Sequence, residues 1–456
     1  MRISRVAQAT AWTVGIALAV GLAGFSALRI YGSRRLAAAQ REFTAKVGPV
    51  AGNAYASAKI PDDENAAILL RAGAEAVVLP GGDKPLAGNL TMIEATRWNA
   101  QQVTGIRRIL AANAPALELL HRAAPMTRSS FGLVDPVNEP EELNMRESGL
   151  GKADPVNESE KFKAKMPILK LLWAQRLLLL DARLALLDGD WQRFLTDAGS
   201  MSTMAVALER ESPMVAMLIG VAAEKILLTV TSEATARPEV SLTTLQRLQR
   251  LLLDTDLGAT WRRALLVSAV GSDRRVAAIR ADPKRMAEEG FGVKGRLLEL
   301  LFGDILAAQR RELYSDLVGV VDQPIGSNPR WADRGKARPK SIFSVFESVM
   351  FSGLASSGGR VQSTMSVRNL ANVALKLRME GLQTGSYPQT LAAYPEALRP
   401  DPFAGKPLTY LRRPDGSAVI SVPDFAALWK RISDAGLGSQ PYTWELPPPG
   451  KAVAKK

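Results

Sequence analysis

The chain contains no cysteine and a single histidine, His121. The first absence excludes disulfides, thiolate zinc sites and cysteine nucleophiles. It fits a bacterial envelope protein that avoids stray thiol oxidation. The second absence excludes histidine metal clusters and leaves carboxylates as the expected ligands of any metal. Nucleotide and acyl-transfer signatures are missing as well. Gly335-Lys336 is followed by alanine and Gly405-Lys406 by proline, so neither completes a phosphate-binding Gly-Lys-Ser/Thr loop. No G-x-G-x-x-G follows a predicted strand, and no G-x-S-x-G elbow or S-x-x-K pair accompanies the histidine. His121, in LELLHRAA, sits on an ordinary amphipathic stretch and reads as a structural residue. Acidic neighbours such as Asp254 with Asp256, or Glu141 with Glu142, are the kind of pair glycoside hydrolysis uses, with nothing further to single them out. No catalytic, cofactor-binding or metal-ligating residue is therefore expected, and no cofactor.

What the chain has is helix-forming sequence and an uneven charge. Its 456 residues, 47% of them hydrophobic, suffice for two or three domains with real cores. The net charge of +13 is carried by the two ends: residues 1–46 hold +6, residues 47–320 hold −1 and residues 321–456 hold +8. Val6 to Leu28 is an uncharged run of 23 residues, flanked by Arg2 and Arg5 before it and Arg29, Arg34 and Arg35 after it. As a helix it is ~34 Å long, enough to cross a hydrocarbon core of about 30 Å. No small-residue cleavage site follows, so the run reads as a retained anchor with the large following part translocated out of the cytoplasm. RRLAAAQREFTAKVG (34–48) continues it as a polar stalk helix.

Beyond the stalk the period is helical. IPDDENAAILLRAGAEAVVL (60–79) has a start signal, with Asp62 as N-cap and Asp63 and Glu64 at the positive end of the dipole. Two amphipathic helices follow over 92–113 and 114–124. Residues 125–166 read as a surface loop in which DPVNE occurs twice, at 135–139 and 154–158. Helical periodicity returns at 167 and lasts to about 318, with Gly189 as a stop, Asp190 as the next cap, and further starts near Ser212, Ser241 and Gly258. MVAMLIGVAAEKILLTV is apolar enough to suggest a second span. Its internal charges argue for a buried bundle helix instead. DQPIGSNPRWADRGKARPKS and FSGLASSGGR read as a basic linker and a small-residue hinge. Then come a helix over 363–381, a turn region, candidate strands LTYLR (408–412) and AVISV (418–422) joined at Asp415-Gly416, and a basic tail.

The segment from this helix through GSYPQTL to DPFAGKPLTYLRRPDGSAVIS resembles the C-terminal part of type II secretion pseudopilins of the major, G-like kind. The chain more closely resembles a group of uncharacterised bacterial membrane-anchored envelope proteins with a helical body. The matching residues are Glu64-Asn65-Ala66-Ala67, Gly189-Asp190-Trp191, Tyr387-Pro388, and Asp401-Pro402-Phe403 with Gly405, Pro407 and Tyr410. The resemblance implies a helix-plus-hairpin cap on a helical body. The calcium loop of pseudopilins is not reproduced: Ile420-Ser421-Val422-Pro423-Asp424 lacks its glycine and further acids.

The expected architecture is mainly α: an N-terminal transmembrane helix, a helical bundle or array, and a small C-terminal α+β module. Its units are the cytoplasmic tip and anchor (1–30), stalk and N-terminal helices (31–124), loop (125–166), helical body (167–321), linker (322–362), pseudopilin-like module (363–445) and tail (446–456). Arg334, Lys336, Arg338 and Lys340, followed by Arg368, Lys376 and Arg378, lie in acid-free stretches and form the candidate surface for anionic lipid or an acidic partner. Aromatic residues are sparse there, so nucleic acid is not an expected partner. The expected role is a membrane-tethered, extracytoplasmic scaffold that binds a protein partner in the cell envelope, in the context of secretion. The alternative is a carboxylate-dependent hydrolase of cell-wall glycan.

Overall fold

Leucine- and alanine-rich stretches fold into thirteen α-helices and a three-stranded sheet among the described residues of this computed structural model. Those residues are 2–47, 60–78, 93–131, 168–211, 214–252, 255–281, 293–318, 323–327, 342–432 and 442–449. The protein is mainly helical, with its small antiparallel sheet near the C-terminus.

The expected anchor and stalk are one helix, α1 (Arg2–Val47), ~69 Å long at 1.5 Å per residue. Its second half is not a free-standing stalk. It lies along α10 (Val293–Val318), where Phe43 is fully buried beneath the Arg311 guanidinium, 4.7 Å from the ring centroid. Arg35 donates to both oxygens of Glu312, at 2.9 and 2.6 Å. A polar-looking sequence thus hides one apolar stripe, Ala39 and Phe43, spaced four residues apart.

The N-terminal helices are α2 (Ala66–Ala76), α3 (Ala100–Ala112) and α4 (Ala114–Ala123). Asp62 is not the cap of α2. Asp62–Glu64 make a 3-10 turn, and Asn65 caps the helix by accepting from Ala67 N at 3.1 Å. In α3, Asn99 and Gln102 form a reciprocal capping box. The long helices α5 (Ile168–Asp188) and α6 (Trp191–Glu209) are joined by Gly189, whose φ of +71° reverses the chain, and Asp190, which accepts from Arg193 N at 3.0 Å. A connection this short makes them antiparallel neighbours.

Helix α7 (Met214–Thr235) is long and apolar enough to cross a membrane by length and composition. It is a core helix: 67% of its most apolar window is buried, against α5, α6, α9 (Leu257–Ala281) and α11 (Ile342–Thr384). Helix α8 (Leu242–Leu251) begins at Ser241, whose hydroxyl accepts from Thr244 N.

Helix α11 runs for 43 residues straight through the segment read as a hinge at 351–360, so no linker separates module from body there. Small residues do not break a helix whose neighbours bury it, and Gly358, Gly359, Val361 and Gln362 are all buried. The turn Ile325–Ser327, also read as linker, docks on the C-terminal part: Gly326 N donates to Phe403 O at 3.0 Å.

After α11 come a single-turn helix α12 (Pro395–Leu398), strands β1 (Thr409–Arg412) and β2 (Ala418–Ser421), helix α13 (Phe425–Ile432) and strand β3 (Thr443–Leu446). The hairpin pairs Tyr410 with Ile420 and Arg412 with Ala418, and β3 adds antiparallel to β2 through Ile420 and Trp444. The hairpin's inward face carries Ala418, Ile420 and Val422, all buried. Helix α13 and strand β3 had no expected counterpart, because each is short. The fingerprint residues act structurally. Asp401 Oδ1 accepts from Phe403 N, Ala404 N and Ser366 Oγ at 2.6–2.9 Å, and Gly405 adopts φ +71°. Tyr410 donates to Pro388 O and Tyr387 to Pro447 O. Pro402 and Pro407 flank the Asp401 turn, while Asp415 accepts from Ser417 N at 2.9 Å beside Gly416. Phe403 and Tyr387 are both buried, Phe403 against the Phe425 ring and Tyr387 beside Arg378 of α11. The module is nonetheless not a separate core: Phe403, Ile420 and Trp444 belong to one apolar cluster with Leu70, Leu178 and Leu248.

Candidate functional site

An open cleft of about 690 Å³ lies between α3, α4, α5 and the start of α6. Its position follows from how α4 is held. The Asn113 side chain closes the α3–α4 corner by donating to Val78 O and Ile109 O, both at 2.8 Å, while Leu120 and Ala123 bury the opposite face of α4. Leu117 and His121, one turn apart, are left on the cleft side. Asp181, Leu184 and Asp188 line it from α5, and Arg107 reaches across the rim to Asp188 at 2.8 Å.

At its floor His121 Nε2 is 2.7 Å from Asp197 Oδ1. Helix α6 is buried on nearly all sides, so Asp197 has no route to solvent and its relative exposure is 0%. Arg193, one turn earlier on the same helix, pairs with Asp181 Oδ1. Ligand atoms of His121, Asp181 and Asp197 lie within 4.8 Å of one another. Burial pushes the Asp197 carboxyl well up, reinforced by the Asp181 charge. Burial also lowers His121, against the opposing pull of Asp181. The cluster therefore combines one imidazole and two carboxylates with one guanidinium, in a place where charge is costly. Such donors can share protons or hold a cation.

A second polar cluster is internal. Arg368 on α11 donates to Glu224 on α7, Nη2 to Oε2 at 2.8 Å, and to the carbonyl of Thr255. Thr255 in turn donates to Glu209 Oε2 at 2.6 Å. Burial and the Glu224 charge push the Glu209 carboxyl up to about 8. Lys225 Nζ lies 4.8 Å from the Trp429 ring centroid and donates to Ser363 Oγ at 3.1 Å. Burial of that ammonium, helped by Arg360, lowers it to about 7.

Of the expected basic surface, only Arg368, Lys376 and Arg378 are among the described residues. Arg334, Lys336, Arg338 and Lys340 lie outside the described residues, as do Glu141, Glu142, Asp254 and both DPVNE copies. Arg368 and Arg378 are interior. Arg378 is fully buried and donates to Tyr387 Oη and Pro447 O, both at 3.0 Å. Lys376 pairs with Glu396. Their acid-free sequence surroundings misled because the partners come from other elements. Asp256, the described member of its acidic pair, is exposed and caps α9 by accepting from Ala259 N at 2.9 Å. His121, read as structural, is the residue around which the cleft's acids gather. A local signal for one of them existed: Asp181 interrupts LLLLDARLALL, a charge on a helix with almost no polar face.

No protein family, no curated protein and no solved structure matches the chain.

Proposed function

We propose that this chain is a membrane-tethered, extracytoplasmic scaffold of the bacterial cell envelope that binds a protein partner. The observation that carries the reading is α1, a single helix that contains the uncharged run 6–28 and then packs along α10. A rod of this kind fixes the body relative to the bilayer, which suits a scaffold better than a flexible tether. Val20, Leu22, Ile30 and Tyr31 of α1 are exposed apolar side chains, as a lipid or interfacial contact requires. The arginines flanking the run match anionic head groups. The pseudopilin-like sequence at 363–445 makes secretion machinery a reasonable class of partner.

Glycan hydrolysis is the weaker reading. Asp181 and Asp197 approach within 4.8 Å and Asp197 is sealed. A glycosidase pair stands about 5–9.5 Å apart with the sugar between its members.

A reporter fused after Lys456 tests the topology and is expected to be active only outside the cytoplasm. Activity inside would reverse the orientation. Crosslinking in native membranes is expected to capture one defined envelope protein. Recovery of nonspecific material alone, together with turnover in a substrate screen, would overturn the scaffold reading.

A further inference from the structure

We propose that His121, Asp181 and Asp197 form a binding site for a divalent transition-metal ion such as Zn²⁺. The site goes beyond the scaffold reading and does not depend on it.

Three different helices, α4, α5 and α6, each contribute one donor, and all three meet within 4.8 Å. Convergence from residues 121, 181 and 197 is a tertiary event that no single amphipathic pattern demands. Asp197 supplies an independent sign. It is fully buried, its Oδ1 meets His121 Nε2, and its Oδ2 has no hydrogen-bond partner. A buried carboxylate oxygen without a partner costs more than almost any other polar defect, so natural proteins rarely retain one idly. A bound cation satisfies it directly.

The charges point the same way. Two carboxyl groups face one guanidinium there, and a bound cation would ionise Asp197 and balance its charge. Arg193 engages Asp181 through Oδ1 and so orients a carboxylate that also meets Asp197. The Arg193 side chain is 34% exposed and lines the cleft.

Donor chemistry sets the class of ion. Imidazole with carboxylates suits Zn²⁺ and its first-row neighbours, whereas Mg²⁺ and Ca²⁺ take all-oxygen shells. Three protein ligands leave at least one coordination position, and two of the three, His121 and Asp181, line the open cleft of about 690 Å³. Binding displaces the proton between His121 Nε2 and Asp197, so the proton balance is one released per ion bound.

The single histidine makes the test clean. Full-length protein in mild detergent, stripped with chelator and labelled with ¹⁵N-histidine, is titrated with Zn²⁺ alone. One equivalent is expected to saturate, with the shift of the sole imidazole signal tracking the heat of binding. Asp197→Asn, which keeps the side-chain shape, and His121→Ala are each expected to weaken binding at least tenfold. In chelator both variants should melt no lower than about the wild-type temperature, which separates loss of a ligand from loss of the fold. Should one variant misfold, the other and the wild-type imidazole signal decide the matter. Absence of saturable binding, an unmoved imidazole, or wild-type affinity in both variants would overturn the proposal. Mg²⁺ binding as tight as that of Zn²⁺ would overturn the assignment of ion class.

Discussion

Replacing Arg368 by methionine would remove the guanidinium hydrogen-bonded to Glu224 while preserving most of the side-chain volume. The structure predicts a large loss of stability. Arg368 is 12% exposed and Glu224 and Glu209 are 1% and 0% exposed, so water cannot take over the carboxylates. Breaking a buried pair from one side costs about 3–5 kcal/mol, a large share of a typical total of about 5–15 kcal/mol. The cost should also depend on pH. In the wild type the Glu209 carboxyl is raised from 4.5 to about 8. The folded state holds that proton where the unfolded state has released it, so stability falls as pH rises through this window. Arg368 lowers the Glu209 carboxyl. Without it the carboxyl keeps its proton to still higher pH, so the variant should lose least at pH 5 and most at pH 9. Urea unfolding followed by circular dichroism in micelles measures both values. Arg368→Met combined with Glu224→Gln should recover part of the loss, since no unpaired charge remains on α7. A loss below about 1 kcal/mol at both pH values would refute the internal ion pair.

Other perturbations probe other joints of the fold. Phe403→Ala should cost about 3–5 kcal/mol, because Phe403 is fully buried and 5.0 Å from the Phe425 ring. As its core is continuous with that of the body, one cooperative transition should shift, and limited proteolysis should release no stable fragment beginning near 363. Gly405→Ala should cost about 1–2 kcal/mol or more, from its φ of +71° and a Cβ directed at Ser327 Oγ, read as a lowered melting temperature. Lys225 should give stability that rises between about pH 7 and 10.5: below that window the ammonium is charged in both states, and within it only the unfolded chain is protonated. Lys225→Met should flatten that rise in pH-dependent melts.

Much of the helical layout was legible because its signals are local. Gly189 and Asp190 stop one helix and start the next through bonds within four residues, and Ser241 does the same for α8. The alternation of Ala418, Ile420 and Val422 likewise specifies a buried hairpin face. Shorter elements escaped notice. The eight residues of α13 and the four of β3 are held by neighbours, with Trp444 and Phe425 seated in the common core, and lack enough residues to show a period. The hinge expectation failed for a related reason: glycine and serine lower helix propensity by about 1 kcal/mol or less per residue, and burial along α11 outweighs that.

The sequence by itself determined the helical class, the uncharged run at 6–28, the caps at Asp190 and Ser241 and the turn chemistry of the C-terminal hairpin, since each rests on residues within one or two turns of each other. Only the tertiary structure decided which charges are interior. Arg368 meets Glu224 across 144 positions and His121 meets Asp197 across 76. Burial and electrostatic pairing depend on distance in space, and a helical array brings such residues together through the order in which its helices stack.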